Sequence, residues 1–367
     1  MPPAAYATIF AAFAFVLGAV VGSFLNVCIY RLPLDLSVNE PKRSFCPHCK
    51  GQIAWHHNLP LFSWLLLRGK CANCGGRISA RYFGVELLTA LLFLAVWLRF
   101  PWMLALPYGV LLSLLVVATF IDFEHFIIPD EITLGGTVAG LALSCAIPAL
   151  MGVESHLAAL LWSAAGAAGG WFLLWGVVIA GKAAFGRKRI VFNPPAPFTW
   201  RREGDSATLT TDDKAEPWAE FFPDEKAVLR MKCALLEFDG QTHENIEVTS
   251  HYETLTVAGR EHSLNGVETF SGKFHEVFFE RDAMGFGDVK FIACIGAFLG
   301  WKAVLFTVVA ASALGSVLGL TAIVCGRREW SAKIPFGPYL ALGATIWTFA
   351  GPVVVAWVLD LVRPLEM

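Results

Sequence analysis

Met103-Leu-Ala-Leu-Pro-Tyr-Gly-Val-Leu-Leu-Ser-Leu-Leu-Val-Val-Ala-Thr-Phe-Ile-Asp122 carries no charge until its last residue. A helix needs about 20 apolar residues to cross the hydrocarbon of a bilayer, so 103–121 reads as a span that ends on a carboxylate. Similar apolar runs lie at roughly 5–29, 83–99, 132–150, 157–181, 289–300, 303–325 and 337–361. Together they predict about eight spans, of which 289–300 is short and reads as a half-helix or shallow span. Of 367 residues, 56% are hydrophobic and 16% charged, with a mean hydropathy of +0.58. Soluble domains carry roughly a quarter charged residues, which excludes a soluble single-core enzyme. The fold class is an α-helical polytopic membrane protein. A net charge of −2 leaves no basic field for nucleic acid. The first run follows Met1 with no basic residue before it and no small-residue cleavage site, so it reads as a retained span rather than a signal peptide.

Basic residues set the orientation. The loop 31–82 holds Arg31, Lys42, Arg43, Lys50, Arg68, Lys70, Arg77 and Arg81 against Asp35 and Glu40, which places it in the cytoplasm. Alternation puts 122–131, the segment after Lys182 and the loop 326–336 (with Arg327, Arg328 and Lys333) on the same side, with both termini outside. Residues 187–287 depart from the membrane pattern, with 12 Lys/Arg against 18 Asp/Glu. This acidic stretch opens with Asn193-Pro194-Pro195-Ala196-Pro197, a stiff-linker signal. Its alternating runs Ile246–Ser250, Glu253–Ala258 and Lys273–Glu280 read as half-buried strands, so a small α+β or β insert is expected. His243, His251, His262 and His275 show no ligand spacing. The predicted organisation is a first span at 1–30, a cysteine loop at 31–82, a helical bundle at 83–186, the insert at 187–284 and the remaining spans at 285–367.

Within the loop, Cys46-Pro-His-Cys49 and Cys71-Ala-Asn-Cys74 form two C-x-x-C pairs. Four thiolates from two such hairpins suit a structural zinc, and a reducing compartment argues against disulfides. Gly75-Gly76 suits a tight turn after the second pair. His48 reads as solvent-facing rather than as a ligand. Cys28, Cys145, Cys294 and Cys325 lie in or at spans and read as small buried hydrophobes, while Cys233 has no partner signal.

Carboxylates at membrane depth are expensive and mark functional sites. Asp122 closes one span, and Asp288 opens another inside Gly285-Phe286-Gly287-Asp288-Val289-Lys290. Gly285 and Gly287 permit close approach of a substrate strand. Peptide hydrolysis by two aspartates needs one protonated and one ionised carboxyl around a water. Two like charges about 4 Å apart at an effective dielectric of ~20 repel by about 4 kcal/mol, so such a pair shares one proton and titrates as a unit. Each acid alone reads equally as a helix cap at the membrane interface, and Asp130 after Pro129 fits that reading well.

The motifs together resemble the prepilin peptidase (type IV leader peptidase) family. The resemblance is carried by Gly22-Ser23-Phe24-Leu25-Asn26 through Pro33, the four-cysteine loop, Ile78–Tyr82 with Val85-Glu86, the Asp122 segment, the GxGD of 285–288 and Ile334–Ala341. It implies an aspartic membrane endopeptidase that cuts prepilins or pseudopilins after the glycine preceding their hydrophobic helix. In bifunctional members the new amino terminus is then methylated from S-adenosylmethionine. By motif, Asp122 and Asp288 are the catalytic pair, and the cysteine loop marks the longer, bifunctional type. The implied location is the bacterial inner membrane, with the site at the cytoplasmic face, where a prepilin's basic leader meets its apolar helix. Two departures stand out: Phe83 where a proline is common, and the insert of about a hundred residues before GxGD.

Other residues keep two readings. Glu86 is a contact to the substrate amine or methyl donor, or a salt-bridge partner of Arg81 or of a neighbouring helix. Lys290 tunes Asp288 or pairs with lipid phosphate, and His125 reads as a surface residue. The insert either decorates the enzyme or docks an unidentified partner. A peptidase without methyltransferase activity is the nearer alternative. A polytopic carrier or scaffold is the other, although it would want acids at the bilayer midplane and an internal repeat.

Overall fold

The structure, a computed structural model, describes residues 3–41, 44–46, 48–204, 206–211, 214–222, 227–280, 284–324 and 335–362. Lys42, Arg43, Cys325, Arg327, Arg328, Lys333 and Ile334 lie outside the described residues. Helices α1 (Pro3–Arg31), α2 (Phe62–Leu66), α3 (Ala80–Arg99), α4 (Trp102–His125), α5 (Asp130–Ala146) and α6 (His156–Phe185) lead to strands β1 (Arg187–Glu203), β2 (Ser206–Thr211), β3 (Lys214–Pro217), β4 (Leu229–Phe238), β5 (Gln241–Ser250), β6 (Thr254–Val257), β7 (Arg260–Ser263) and β8 (Thr269–Glu280). Helices α7 (Phe286–Val324) and α8 (Gly337–Val362) follow. Two compact units result, one of residues 1–174 with 286–367 and one of 175–285.

In the first unit, six helices among the described residues are long and apolar enough to cross a membrane: α1, α3, α4, α6, α7 and α8. The chain is a polytopic membrane protein. The other two expected spans differ for geometric reasons. At 17 residues, α5 is about 25 Å long, short of a hydrocarbon core of roughly 30 Å. The runs 289–300 and 303–325 are joined in α7, whose regular geometry breaks at Gly300 (φ 75°, ψ 175°). The two halves fold back on each other there. A Cβ at Gly296 would lie 2.9 Å from Val304 Cγ2, whereas residues eight apart in a straight helix are separated by about 12 Å.

Small residues set the packing, as expected where lipid removes the hydrophobic drive between helices. A Cβ at Gly22 of α1 would stand 2.7 Å from the Cα of Glu86 in α3, and one at Gly166 of α6 would stand 2.3 Å from the carbonyl of Gly296 in α7. Ser144 and Ser163 both donate to the Ala297 carbonyl, at 3.1 and 2.6 Å, tying α5 and α6 to the first half of α7.

The second unit is an antiparallel eight-stranded sheet ordered β3-β2-β1-β8-β4-β5-β6-β7. Among the described residues of 187–280 there is no α-helix, so of the two expected forms the insert takes the β form. Strand β4 shows why: Leu229, Met231 and Cys233 are buried while Arg230 and Lys232 are exposed, the period of a half-buried strand. Phe198 stacks on Phe274 and Trp200 on Phe270, with ring centroids 4.8 and 5.0 Å apart. Burial pushes the Cys233 thiol up to about 12.

The Pro-rich stretch is not a linker. It lies inside β1, whose register against β8 slips between Val191 and Ala196. Prolines lack the N–H that a ladder needs, and a bulge is where a strand tolerates them. Arg187 then pairs with Glu280, so the two chain ends of the insert adjoin.

Candidate active site

Helix α4 stops just past Asp122. Phe126 takes a left-handed conformation, and its N–H bonds back to the Asp122 carbonyl at 3.0 Å. Ile127, Ile128 and Pro129 then turn the chain into α5. Asp122 is only 5% exposed and Asp288, in the first turn of α7, only 8%. The turn after Asp122 meets the first turn of α7 across 166 positions of sequence, with Ile128 about 3.5 Å from where a Cβ at Gly287 would stand.

A third segment completes this arrangement. The N–H of Gly337, the first residue of α8, donates to Asp122 Oδ2 at 2.9 Å. Helix N-termini present unpaired N–H groups and the positive end of the helix dipole, so each acid sits at the start of a helix: Asp288 in α7 and Asp122 against α8. A Cβ at Gly337 would stand 2.7 Å from Asp122 Oδ2 and 2.9 Å from Ile128 Cδ1. Ile128 thus packs beside both the α7 turn that carries Asp288 and the start of α8 that holds Asp122. Neither Ile128 nor the Gly337 N–H was singled out from sequence. The Gly337-Pro338 pair was a legible signal, because proline in a first turn marks a helix start.

The flanking charges pair differently from expectation. Lys290 bonds Asp130 Oδ1 at 2.6 Å, and Asp130 lies in the first turn of α5, just after Pro129. Arg81 pairs with Glu124 rather than with Glu86, and that pair joins the start of α3 to the end of α4. Glu86 accepts the Leu61 N–H at 2.8 Å and also interacts with Ser23. His125 is exposed, and Gly285 lies one residue before α7.

The cysteine loop folds as two matching knuckles. Cys46 N donates to Gly51 O and Lys50 N to Cys46 O, at 2.9 and 2.8 Å. Cys71 N likewise donates to Gly76 O and Gly75 N to Cys71 O, both at 2.9 Å. Lys50 (φ 55°) and Gly75 (φ 70°) supply the left-handed turn in each. The sulfur atoms of Cys46, Cys49, Cys71 and Cys74 all lie within 4.8 Å of one another, and among the described residues no other such group can hold a metal. Backbone N–H groups of Cys74 and Asn73 hold the Cys71 thiol down to about 7, while burial and the neighbouring thiols push the Cys74 thiol up to about 11. His48 is exposed and its Nε2 lies 3.0 Å from the Arg77 carbonyl, bracing one knuckle on the other. Cys28 and Cys294 are buried and Cys145 half-buried.

The family model for the Bacterial Peptidase A24 N-terminal domain matches residues 16–100, and that for the Type IV leader peptidase family matches 109–188 and 256–320. A prepilin leader peptidase/N-methyltransferase of Aeromonas hydrophila is 28% identical over 94% of this chain and 92% of its own length. One from Klebsiella pneumoniae is 37% identical over 50% of this chain and 82% of its own. One from Myxococcus xanthus is 50% identical over 45% of this chain and 48% of its own. No solved structure matches the chain. With both domain models matching in order around the paired aspartates, this chain belongs to the type IV leader peptidase family.

Proposed function

We propose that the chain is a membrane aspartic endopeptidase that removes the leaders of type IV prepilins or pseudopilins and methylates the new amino terminus. The observation that carries the peptidase reading is the convergence of buried Asp122 and Asp288 at two helix N-termini, with the Gly337 N–H on Asp122 Oδ2. That N–H supports a negative carboxylate at Asp122, so Asp122 takes a proton from water as the water oxygen attacks the scissile carbonyl carbon. Asp288 carries the shared proton and gives it to the carbonyl oxygen. Collapse of the tetrahedral intermediate breaks the C–N bond. The departing amine takes the proton from Asp122, and Asp288 regains its own as the carbonyl re-forms.

Both acids sit at helix ends rather than mid-span, which suits interfacial hydrolysis and weighs against a carrier. The excess of Lys and Arg in the loop 31–82 supports a cytoplasmic face for the site in the bacterial inner membrane. Counting the two halves of α7 separately and α5 as a short span gives the eight-segment topology with both termini outside. Cys46, Cys49, Cys71 and Cys74 would hold a structural zinc, which four thiolates close against catalysis. S-adenosylmethionine, when bound, supplies the methyl group. Mass spectrometry of a co-expressed prepilin tests both activities. The expected product lacks its leader and carries one added methyl; an uncut leader refutes the peptidase, and an unmethylated product the transferase.

A further inference from the structure

The methylation reading leaves open where the donor binds, and the first unit holds a cavity away from Asp122 and Asp288 that suits it. The cavity lies between α1, the cysteine loop and α3, and opens to solvent at its mouth. Ligand sites combine apolar walls with a few placed polar groups. Here Tyr30, Phe45, Trp64 and Tyr82 form aromatic wall, and Asn26 and Glu86 are the buried polar groups at its α1–α3 side, among a lining that also holds Arg31, His57 and Lys70.

Asn26 is the telling residue. It is 3% exposed, and its Nδ2 donates to the Tyr82 carbonyl at 3.0 Å. That bond fixes the amide orientation and leaves Oδ1 as a buried acceptor with no partner among the described residues. A buried acceptor without a donor costs roughly 1–3 kcal/mol, so this one calls for a donor from within the cavity. Glu86, 8% exposed, adds a carboxylate whose bond to the Leu61 N–H is neutral. The nearby cation Arg31 is occupied elsewhere, donating to the carbonyls of Ser37, Val38 and Pro41 at 2.9–3.0 Å. An acid, an unmet acceptor and aromatic faces together favour a cation bearing N–H groups. The exposed Lys70 at the rim suits a carboxylate.

S-adenosylmethionine has this chemistry: a sulfonium, an ammonium, an aminopurine and one carboxylate. We propose that this cavity binds S-adenosylmethionine, with Glu86 and Asn26 as its polar anchors. The inference rests on the methylation reading above. The Arg81–Glu124 pair, one residue before Tyr82 and two after Asp122, couples the cavity's edge to the helix that carries the first acid.

The test uses the full chain in detergent with radiolabelled S-adenosylmethionine. Ultraviolet cross-linking followed by peptide mapping should place label on segments 26–31, 45–64 or 82–86. Glu86→Gln keeps the side-chain shape and should raise the dissociation constant at least tenfold, with metal content unchanged. Label confined to other segments, or an unchanged dissociation constant in Glu86→Gln, overturns the site while methylation by the parental protein stands. A parental protein that neither binds the donor nor methylates cleaved pilin overturns both. The cross-link map is read on the parental chain, so it decides the matter even if the variant fails to fold.

Discussion

Lys290 Nζ lies 2.6 Å from Asp130 Oδ1, so the helix turn that carries Asp288 is tied to the start of the helix that follows Asp122. The two charges thus act on the geometry of the dyad from outside it. The pair is half open to solvent, with side-chain exposures of 21% and 56%, and such pairs contribute at most about 1 kcal/mol. Asp130→Asn or Lys290→Met should therefore slow cleavage by no more than about fivefold, and the double variant should cost less than the sum of the two. A double-mutant cycle on prepilin cleavage rates measures this; complete loss in Asp130→Asn with normal membrane insertion would make Asp130 part of the chemistry.

Asp122→Asn and Asp288→Asn should each lower cleavage by at least about a hundredfold while the protein stays in the membrane. An amide can neither take the water proton nor carry the shared one. The readout is leader removal in isolated membranes at matched protein levels, and near-parental processing by either variant removes that residue from the dyad.

Gly337→Ala should approach the loss expected of the aspartate variants. The added methyl would sit 2.7 Å from Asp122 Oδ2 and push the carboxylate off its N–H donor. A hydrogen bond to a charged group contributes about 1.5–3 kcal/mol, which corresponds to a tenfold to hundredfold fall in rate. The fall should appear in kcat rather than KM, because Gly337 acts through Asp122.

Purified protein prepared reduced and without chelator should contain about one zinc per chain, since four thiolates complete a closed site. Elemental analysis decides it. Cys46→Ser should lose the metal and open the loop to limited proteolysis, and metal-free parental protein with an intact loop would refute the site.

Residues 187–280 should be replaceable by a short Gly/Ser linker with cleavage retained. Arg187 pairs with Glu280, so the ends adjoin and a short bridge can span them. Phe270, Phe274, Val277 and Phe279 are buried within the sheet's own core, which gives the insert a core independent of the helices. Cutting at Asn193 instead would split β1 and leave unpaired strand. A linker variant that is inserted and metal-loaded yet inactive would make the insert part of the catalytic machinery.

What the sequence by itself determined was whatever local chemistry writes into neighbouring residues. Apolar runs marked the helices because lipid imposes length and composition on any segment that crosses it. The C-x-x-C pairs marked a metal loop because four ligands must converge from two short turns, and Asp122 and Asp288 stood out because acids are rare near apolar runs. The strands at Ile246–Ser250 and Lys273–Glu280 were readable from alternation, while Asn193–Pro197 misled because proline signals a linker and a bulge alike. Only the tertiary structure decided which distant groups meet. Gly337 reaches Asp122 across 215 positions, Lys290 reaches Asp130 across 160, and Glu86 takes a backbone N–H from Leu61 rather than the Arg81 charge. Helix packing sets those encounters, through small-residue contacts that no local pattern encodes.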